Sequence, residues 1–222
     1  MNKKLALLLC LIMVFTLTVF TACGGGNDDQ STADTEATEE AVEETAEDVA
    51  DTAEDVADAA AYGYTGSDPI EAAVYEYVGD ELSEGYSEGQ YSVPEVNIIA
   101  TDTSNDQDIL VWGDFWIFNY DLEGDTLMTV SGGNHPGLIH LKKDGDEYEV
   151  VKMDTVADGE NFMSSAEEIF GEHYDAFMVA NTDDAGKEAI RLESLANFVK
   201  ANNLPATKYQ DYGWDPVDLP LE

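Results

Sequence analysis

The chain has 222 residues, of which 48 are acidic and 9 are basic, and its formal net charge is −39 at pH 7. Binding to phosphate backbones needs clustered Lys and Arg, so this balance excludes nucleic acid as a partner and electrostatic docking on an anionic membrane. The contents of hydrophobic residues (44%) and aromatic residues (10%) are nevertheless ordinary for a folded protein.

The first 22 residues have the pattern of a secretory signal peptide. Two lysines precede the uncharged, mostly apolar run 5–22, which ends in small residues directly before Cys23. An uncleaved transmembrane anchor is the alternative, because a run of 18 residues is close to the minimum that spans a bilayer. The glycines at 24–26 favour cleavage, because they are typical of a flexible segment.

The segment 19–23, Val-Phe-Thr-Ala-Cys, resembles the lipobox of bacterial lipoproteins, although Phe20 stands where the family usually has Leu. The resemblance implies cleavage before Cys23 and a diacylglyceryl thioether on its sulfur, and two or more acyl chains anchor a protein stably. The expected partner of this end is therefore the membrane, and the expected location is the outer face of the cell membrane, at a Gram-positive cell surface. Because Cys10 leaves with the signal peptide, no disulfide is expected within a monomer.

Residues 23–66 are predicted to be an acidic linker that carries the lipid anchor. The stretch 27–58 holds 14 acidic residues and no basic residue, and the heptapeptide 45–51 is repeated letter for letter as 52–58. Ala and Val recur at the same heptad positions, which leaves a weak coiled coil as an alternative. Like charges four residues apart destabilise a helix, so the prediction is an extended, largely disordered stalk.

Residues 67–222 are predicted to form a single α+β domain. Asp68 followed by Pro69, with Glu71 three residues after the cap, indicates the start of a helix. Segments rich in β-branched and aromatic residues follow and predict strands joined by hairpin turns. These segments are 96–101, 109–120, 127–131, 137–142 and 148–154.

Two further helices are predicted after the strands, a short one over 165–171 and a longer one over 183–202. The stretch 131–137, Ser-Gly-Gly-Asn-His-Pro-Gly, is predicted to be a tight turn between two strands. The expected architecture is therefore an N-terminal helix packed on a curved, cone-like antiparallel sheet, with helices at the C-terminal end.

This order of a helix, a long meander and a dense Gly/Pro hairpin resembles cystatin-like and nuclear-transport-factor-like cones. The segments 131–137, 146–150, 158–159 and 169–171 also resemble a pattern in uncharacterised secreted domains of Gram-positive bacteria. The resemblance implies a fold, and it carries no activity and no site residue.

The strand 109–120 carries the strongest candidate site. Alternation places five side chains on one face of this strand: Trp112, Asp114, Trp116, Phe118 and Tyr120. In a cone-shaped sheet such a face can line a ligand pocket, and a carboxylate among aromatic rings is poorly solvated, which suits acid–base chemistry. The alternative is that the face belongs to the core and is buried by the C-terminal helix.

No metal, cofactor or catalytic residue is predicted. The three histidines, His135, His140 and His173, lack the spacing of a zinc site, and no free cysteine accompanies them. The acidic loops that begin at Asp102 and Asn181 do not have Glu at the twelfth position of a calcium loop. Sequence motifs of phosphate loops, dinucleotide sites and common hydrolases are absent.

Three functions are compatible with this sequence. The favoured one is a monomeric, non-catalytic surface lipoprotein whose domain binds a protein or a small molecule. The second is a small-molecule isomerase or hydrolase that uses Asp114, and the third is a structural or stress-related envelope protein. A roomy cavity at Asp114 would favour the enzyme, whereas a face filled by the helix near 190–200 would favour the envelope protein.

Overall fold

The fold was obtained as a computed structural model, which describes residues 59–145 and 147–222. The helices are α1 (Pro69–Asp80), α2 (Phe162–Phe170), α3 (Tyr174–Thr182) and α4 (Asp184–Ala201). The strands are β1 (Tyr91–Asp102), β2 (Ile109–Glu123), β3 (Thr126–Asp144), β4 (Glu147–Thr155), β5 (Lys208–Gln210) and β6 (Val217–Asp218). The predicted α+β class is confirmed. The signal peptide, Cys23 and the linker up to residue 58 lie outside the described residues.

The sheet has six strands in the order β1-β2-β3-β5-β6, and β4 also pairs with β3. The 19-residue β3 holds both neighbours, because its first residues pair with β5 and the stretch 137–144 pairs with β4. All pairings are antiparallel except β3 with β5, which is parallel. Register shifts occur in the pairings of β1–β2, β2–β3 and β3–β4. Such bulges bend strands, in keeping with a curved sheet.

The prediction of a turn over 131–137 was wrong, because this stretch lies inside β3 and joins the two predicted strands into one. Each of its residues pairs with a residue of β2. The glycines are required by close approach: a Cβ on Gly132 would lie 2.4 Å from the carbonyl oxygen of Ile117. A Cβ on Gly137 would lie 2.4 Å from the carbonyl oxygen of Asp154. Glycine in a strand marks such contacts as well as turns.

Helix α1 begins as predicted. The Asp68 side chain accepts a hydrogen bond from the Ile70 backbone N–H at the N-cap, and Pro69 occupies the first turn. Its buried residues Val74 and Val78 pack on one face of the sheet. The sheet residues of this core are Ile109, Val111, Phe115, Ile117, Ile139 and Leu141. One side of β2 therefore faces α1, and the alternate side is left for the other helices.

The opposite face of the sheet carries two separate apolar clusters. At one end, α2 and α3 contribute Phe170 and Phe177, whose stacked rings lie 4.1 Å apart between centroids. At the other end, Leu195, Phe198 and Val199 of α4 pack against the sheet. The sheet surface between these two clusters carries Glu95, Asp114 and Trp116, and it holds the candidate site.

Residues before the predicted domain boundary also pack on the fold. Ala59 is fully buried and Tyr64 is almost so, and both form a cluster with Ala72 of α1. The Tyr64 hydroxyl donates to the carbonyl of Asp68, and the Asn202 side-chain amide donates to the carbonyl of Ala61. The C-terminal end of the range predicted as linker is therefore attached to the domain. The boundary between the linker and the domain stays a prediction.

Candidate functional site

The predicted face of β2 is divided among three environments, and its two ends do not line a cavity. The Trp112 Nε1–H donates to the carbonyl oxygen of Ile169 at 2.9 Å, and the ring packs in the α2–α3 cluster. Tyr120 is fully buried under α4, where its hydroxyl accepts two hydrogen bonds from Arg191. Trp112 and Tyr120 therefore agree with the alternative interpretation of the sequence, in which this face of β2 belongs to the core.

The middle of the face, with Asp114, Trp116 and Phe118, borders two adjoining spaces under α4. The larger is a cavity of about 180 Å³. Its lining residues are Glu95, Trp116, Phe118, Asp184, Lys187, Glu188 and Arg191. The smaller is a hollow of about 10 Å³. Its lining residues are Glu95, Asn97, Asp114, Trp116, Lys187 and Ile190. We call these the α4 cavity and the α4 hollow, and three residues line both.

Strand register explains why these side chains meet. Glu95 of β1 and Asn134 of β3 are both paired with Trp116, so the three side chains lie on one face of the sheet. The Asn134 side-chain amide donates to one oxygen of Asp114. The alternation within 109–120 correctly placed Asp114 beside Trp116, but the partners from β1, β3 and α4 come from distant parts of the chain.

Three buried polar atoms in the described part of the chain lack a hydrogen-bond partner, and all three belong to this site. They are Glu95 Oε1, Asp114 Oδ2 and Trp116 Nε1. The Glu95 and Asp114 residues are only 5% and 1% exposed. An unpaired buried polar group costs about 1–3 kcal/mol, and more when it is charged, so three at one place indicate a missing partner.

Arg191 is held in a fixed position at the edge of the α4 cavity. Its guanidinium makes a bidentate pair with Asp211, at 2.9 and 2.8 Å, and also donates to Tyr120 and Thr129. It lies between two rings, 4.2 Å from the centroid of Phe118 and 4.4 Å from that of Tyr209. Burial by itself lowers the pKa of Arg191, but Tyr120 and Asp211 raise it above its ordinary value. Its charge is therefore permanent and already paired.

Glu95 faces this cation without a hydrogen bond to it, because its Oε1 is 3.6 Å from the Arg191 Nε. Burial raises the pKa of Glu95 to about 8, and Arg191 lowers it only in part. The carboxylates of Glu188, Asp211 and Asp114 raise it further. At neutral pH most Glu95 side chains are therefore protonated, and a small change in the charge of the cavity will change that fraction.

A larger cavity, of about 340 Å³, lies beside β1 between α1 and α4. The Tyr64 hydroxyl at this cavity is bonded to Asp68 and to Glu71. None of the unpartnered buried atoms found in the described residues lines this space. Its geometry therefore does not call for a ligand in the way that the α4 cavity does.

None of the three histidines lines this site, whereas Asp184, in the acidic loop that begins at Asn181, lines the α4 cavity. His135, expected in a turn, lies in β3, with its Nε2 2.8 Å from the Tyr86 hydroxyl. His140 bridges two carboxylates, Asp108 at 2.7 Å and Asp154 at 3.1 Å. Within 59–145 and 147–222, no group of three or more His, Cys, Asp or Glu side chains is arranged to hold a metal ion.

The fold and the site define an α+β domain in which a mixed sheet and a C-terminal helix border a small, open cavity lined by acidic and basic groups. Comparisons of the chain with family models, with curated proteins and with solved structures found no match. The resemblance to cone-shaped secreted domains therefore stays a prediction. Over the residues with a described structure, no helix is long and apolar enough to cross a membrane.

Proposed function

We propose that this protein is a lipid-anchored surface protein whose domain binds a small molecule in the α4 cavity and does not transform it. The observation that carries the proposal is that Glu95, Asp114 and Trp116, each with one buried and unpartnered polar atom, line the same small space. A purely structural role for this face would leave those three groups without a partner from the protein. A ligand that pairs with them removes that cost.

The binding test uses the fluorescence of Trp116, because a ligand in the cavity changes the surroundings of this indole. We expect that the emission of the full chain, purified in detergent, changes on titration with a small polar compound. The compounds offered are small ammonium ions, carboxylates and neutral alcohols. The change should be lost in Trp116→Phe and kept in Trp214→Phe, because Trp214 is 76% exposed on the C-terminal tail. If no class of compound gives a response that depends on Trp116, small-molecule binding at this site is refuted.

The anchoring part of the proposal is supported by the amino-terminal sequence alone, which places small residues and Cys23 after an apolar run. We expect Cys23→Ala to move most of the protein out of the membrane fraction or to leave it as uncleaved precursor. Fractionation with mass spectrometry of the amino-terminal peptide distinguishes these outcomes. The matched control is Cys10→Ala, which should keep anchoring. A Cys23→Ala protein that is processed and membrane-bound at wild-type levels would contradict lipidation.

Acid–base catalysis is the second candidate, and one observation favours it. The pKa of Glu95, raised by burial to about 8, suits a group that takes up and releases a proton near neutral pH. This role falls to Glu95 rather than to Asp114, which lines only the α4 hollow and is held by Asn134. If the compound found by fluorescence is recovered chemically changed, and Glu95→Gln stops the change, the protein is an enzyme.

A further inference from the structure

The chemistry of the α4 cavity also indicates which class of molecule it binds, an inference that rests on the proposed function. The unpartnered atoms are not balanced between donors and acceptors. Two are carboxyl oxygens, of Glu95 and Asp114, and one is a donor, the indole N–H of Trp116. With Glu95 ionised, a ligand that satisfies this set has to bring several N–H or O–H donors and one acceptor.

The basic side chains of the site do not supply those donors. Lys187 donates from its ammonium to the carbonyl oxygen of Asn181 at 2.5 Å, at the C-terminal end of α3. The N–H groups of Arg191 are directed to Asp211, Tyr120 and Thr129. Both basic groups are therefore engaged at the wall of the cavity, and neither forms a hydrogen bond with the unpartnered carboxyl oxygens.

The charge of the lining also favours a cation. The cavity and the hollow are lined by four carboxyl groups, those of Glu95, Asp114, Asp184 and Glu188, against the two basic groups. Arg191 is neutralised by Asp211. The floor is aromatic, since Trp116 and Phe118 stack at 5.6 Å with an angle of 8° between the rings. Ring faces attract cations, and here Lys187 lies 5.7 Å from the Trp116 centroid.

The sizes of the two spaces decide the form of the cation. The α4 hollow, at about 10 Å³, has room for about one water molecule, and a primary ammonium head is of similar size. The α4 cavity, at about 180 Å³, is more than ten times larger than the hollow and suits a short carbon chain or a small ring. A trimethylammonium head is too large for the hollow and has no N–H to donate.

We propose that the ligand of the α4 cavity is a free small primary amine, bound as its ammonium ion. The ammonium lies in the hollow and donates to Glu95 Oε1 and Asp114 Oδ2. The carbon part of the ligand lies on the rings of Trp116 and Phe118. A hydroxyl or carbonyl oxygen of the ligand accepts the hydrogen bond of Trp116 Nε1, which makes a small amino alcohol a suitable probe.

Binding of a cation is coupled to the ionisation of Glu95. The pKa of this carboxyl, about 8 in the empty site, falls when an ammonium is placed beside it, so binding releases a proton. The charged groups that face Glu95 are Arg191, Lys187, Glu188 and Asp184 of α4, Asp114 of β2, and Asp211 after β5. The affinity should therefore rise between pH 6.5 and 8.5, where a simple amine stays protonated.

The test is calorimetric titration of the full chain in detergent with four matched probes. These are ethanolamine, its trimethyl analogue choline, the anion glycolate and neutral ethylene glycol. We expect ethanolamine to bind, with a higher affinity at pH 8.5 than at pH 6.5 and with proton release that shows as buffer-dependent heat. Choline, glycolate and ethylene glycol should not bind. Nα-acetyl-lysine methylamide, an amine attached to a blocked backbone, should bind more weakly than ethanolamine.

Variants make the assignment specific. Glu95→Gln and Asp114→Asn should each weaken ethanolamine binding at least tenfold, whereas Glu193→Gln should not, because Glu193 is on α4 but lines the other cavity. Circular dichroism checks that each variant folds. If Asp114→Asn does not fold, the binding of ethanolamine to Glu95→Gln is sufficient to test the proposal. If choline, glycolate or ethylene glycol binds in place of ethanolamine, and this binding depends on Trp116, the assignment of a primary amine is wrong. The proposal that the α4 cavity binds a small molecule is then retained. Tighter binding of the lysine derivative would overturn the free-amine assignment. Failure of every probe would count against both proposals.

Discussion

Replacing Arg191 by Ala is expected to lower the free energy of unfolding by about 3–5 kcal/mol, the loss typical of breaking a buried ion pair. The substitution leaves the Tyr120 hydroxyl buried without its two donors, and it removes both bonds to Asp211. It also empties the space between the rings of Phe118 and Tyr209, which the guanidinium now fills. A loss of this size is a large fraction of the total stability of an ordinary domain.

Urea denaturation of the full chain measures this effect, and the melting temperature should fall by about 10 °C. Arg191→Lys should recover part of the loss, because it keeps the charge but not the bidentate geometry or the stacking between rings. The matched control is Lys208→Ala. Its ion pair with Asp125 is exposed and 3.5 Å long, so its removal should cost less than about 1 kcal/mol.

A double-mutant cycle with Asp211→Asn separates the pair from its surroundings. If the pair dominates, the two single losses should not add, and the coupling should exceed about 1 kcal/mol. An Arg191→Ala protein within about 1 kcal/mol of the wild type would show that the cluster does not stabilise this end of the sheet. An Arg191→Lys protein as stable as the wild type would show that the planar, bidentate geometry is unimportant.

Some elements of the fold could be predicted because their signals are local. Helix α1 was placed by the cap at Asp68 and Pro69. Helix α4 was placed by its apolar period, and the structure shows that the Asp183 side chain caps it. The short strands β5 and β6 could not be predicted, because three and two residues carry no period. Helix α3 was missed because only Phe177 among its residues is buried.

The error at 131–137 has a physical cause that no local rule detects. Gly and Pro mark turns in most contexts, but here they lie in a strand with a neighbour on each side over part of its length. A larger residue at Gly132 or Gly137 would contact the backbone of the adjacent strand. That requirement is set by strands that are distant in sequence, so the composition of the segment alone predicts the wrong element.

Half of the candidate site was visible in the sequence. Alternation along 109–120 predicted that Asp114, Trp116 and Phe118 share a face, and they do. Glu95 was missed because it lies just before the predicted start of the first strand at residue 96. Arg191 was missed because a basic residue in an apolar helix stripe is usually exposed. The position of Arg191 on the helix was the available signal that it faces the sheet. Residues 187, 191, 195 and 198 follow helical spacing and lie on one face of α4.

The second large effect concerns pH and Glu95. The pKa of this carboxyl is about 8 in the folded protein, against an ordinary value of 4.5. Between these values the folded state binds more protons than the unfolded state, so the free energy of unfolding should fall as pH rises from about 5 to 8 and then level off. Glu95→Gln keeps the shape of the side chain but cannot ionise. The variant should therefore lack the part of this fall in stability that Glu95 causes.

The difference in stability between Glu95→Gln and the wild type should therefore change by about 3–5 kcal/mol from pH 5 to pH 9, in favour of Gln at high pH. Urea titrations at several pH values measure it. Burial lowers the pKa of His135, so this residue makes the free energy of unfolding rise with pH below pH 6.5. Both proteins contain His135, so its contribution cancels in the difference between them. The matched control is Glu149→Gln, whose exposed carboxylate pairs with Lys142 and should leave the profile unchanged above pH 5.

The same experiment links the stability of the empty site to its proposed ligand. Because most Glu95 side chains are ionised at pH 8.5 when the pKa is about 8, adding ethanolamine at that pH should stabilise the wild type by mass action and should have little effect on Glu95→Gln. A difference in stability between Glu95→Gln and the wild type that does not change from pH 5 to pH 9 would mean that Glu95 is already ionised in the folded protein. Arg191 would then satisfy it, and the cavity would have less need of a cation.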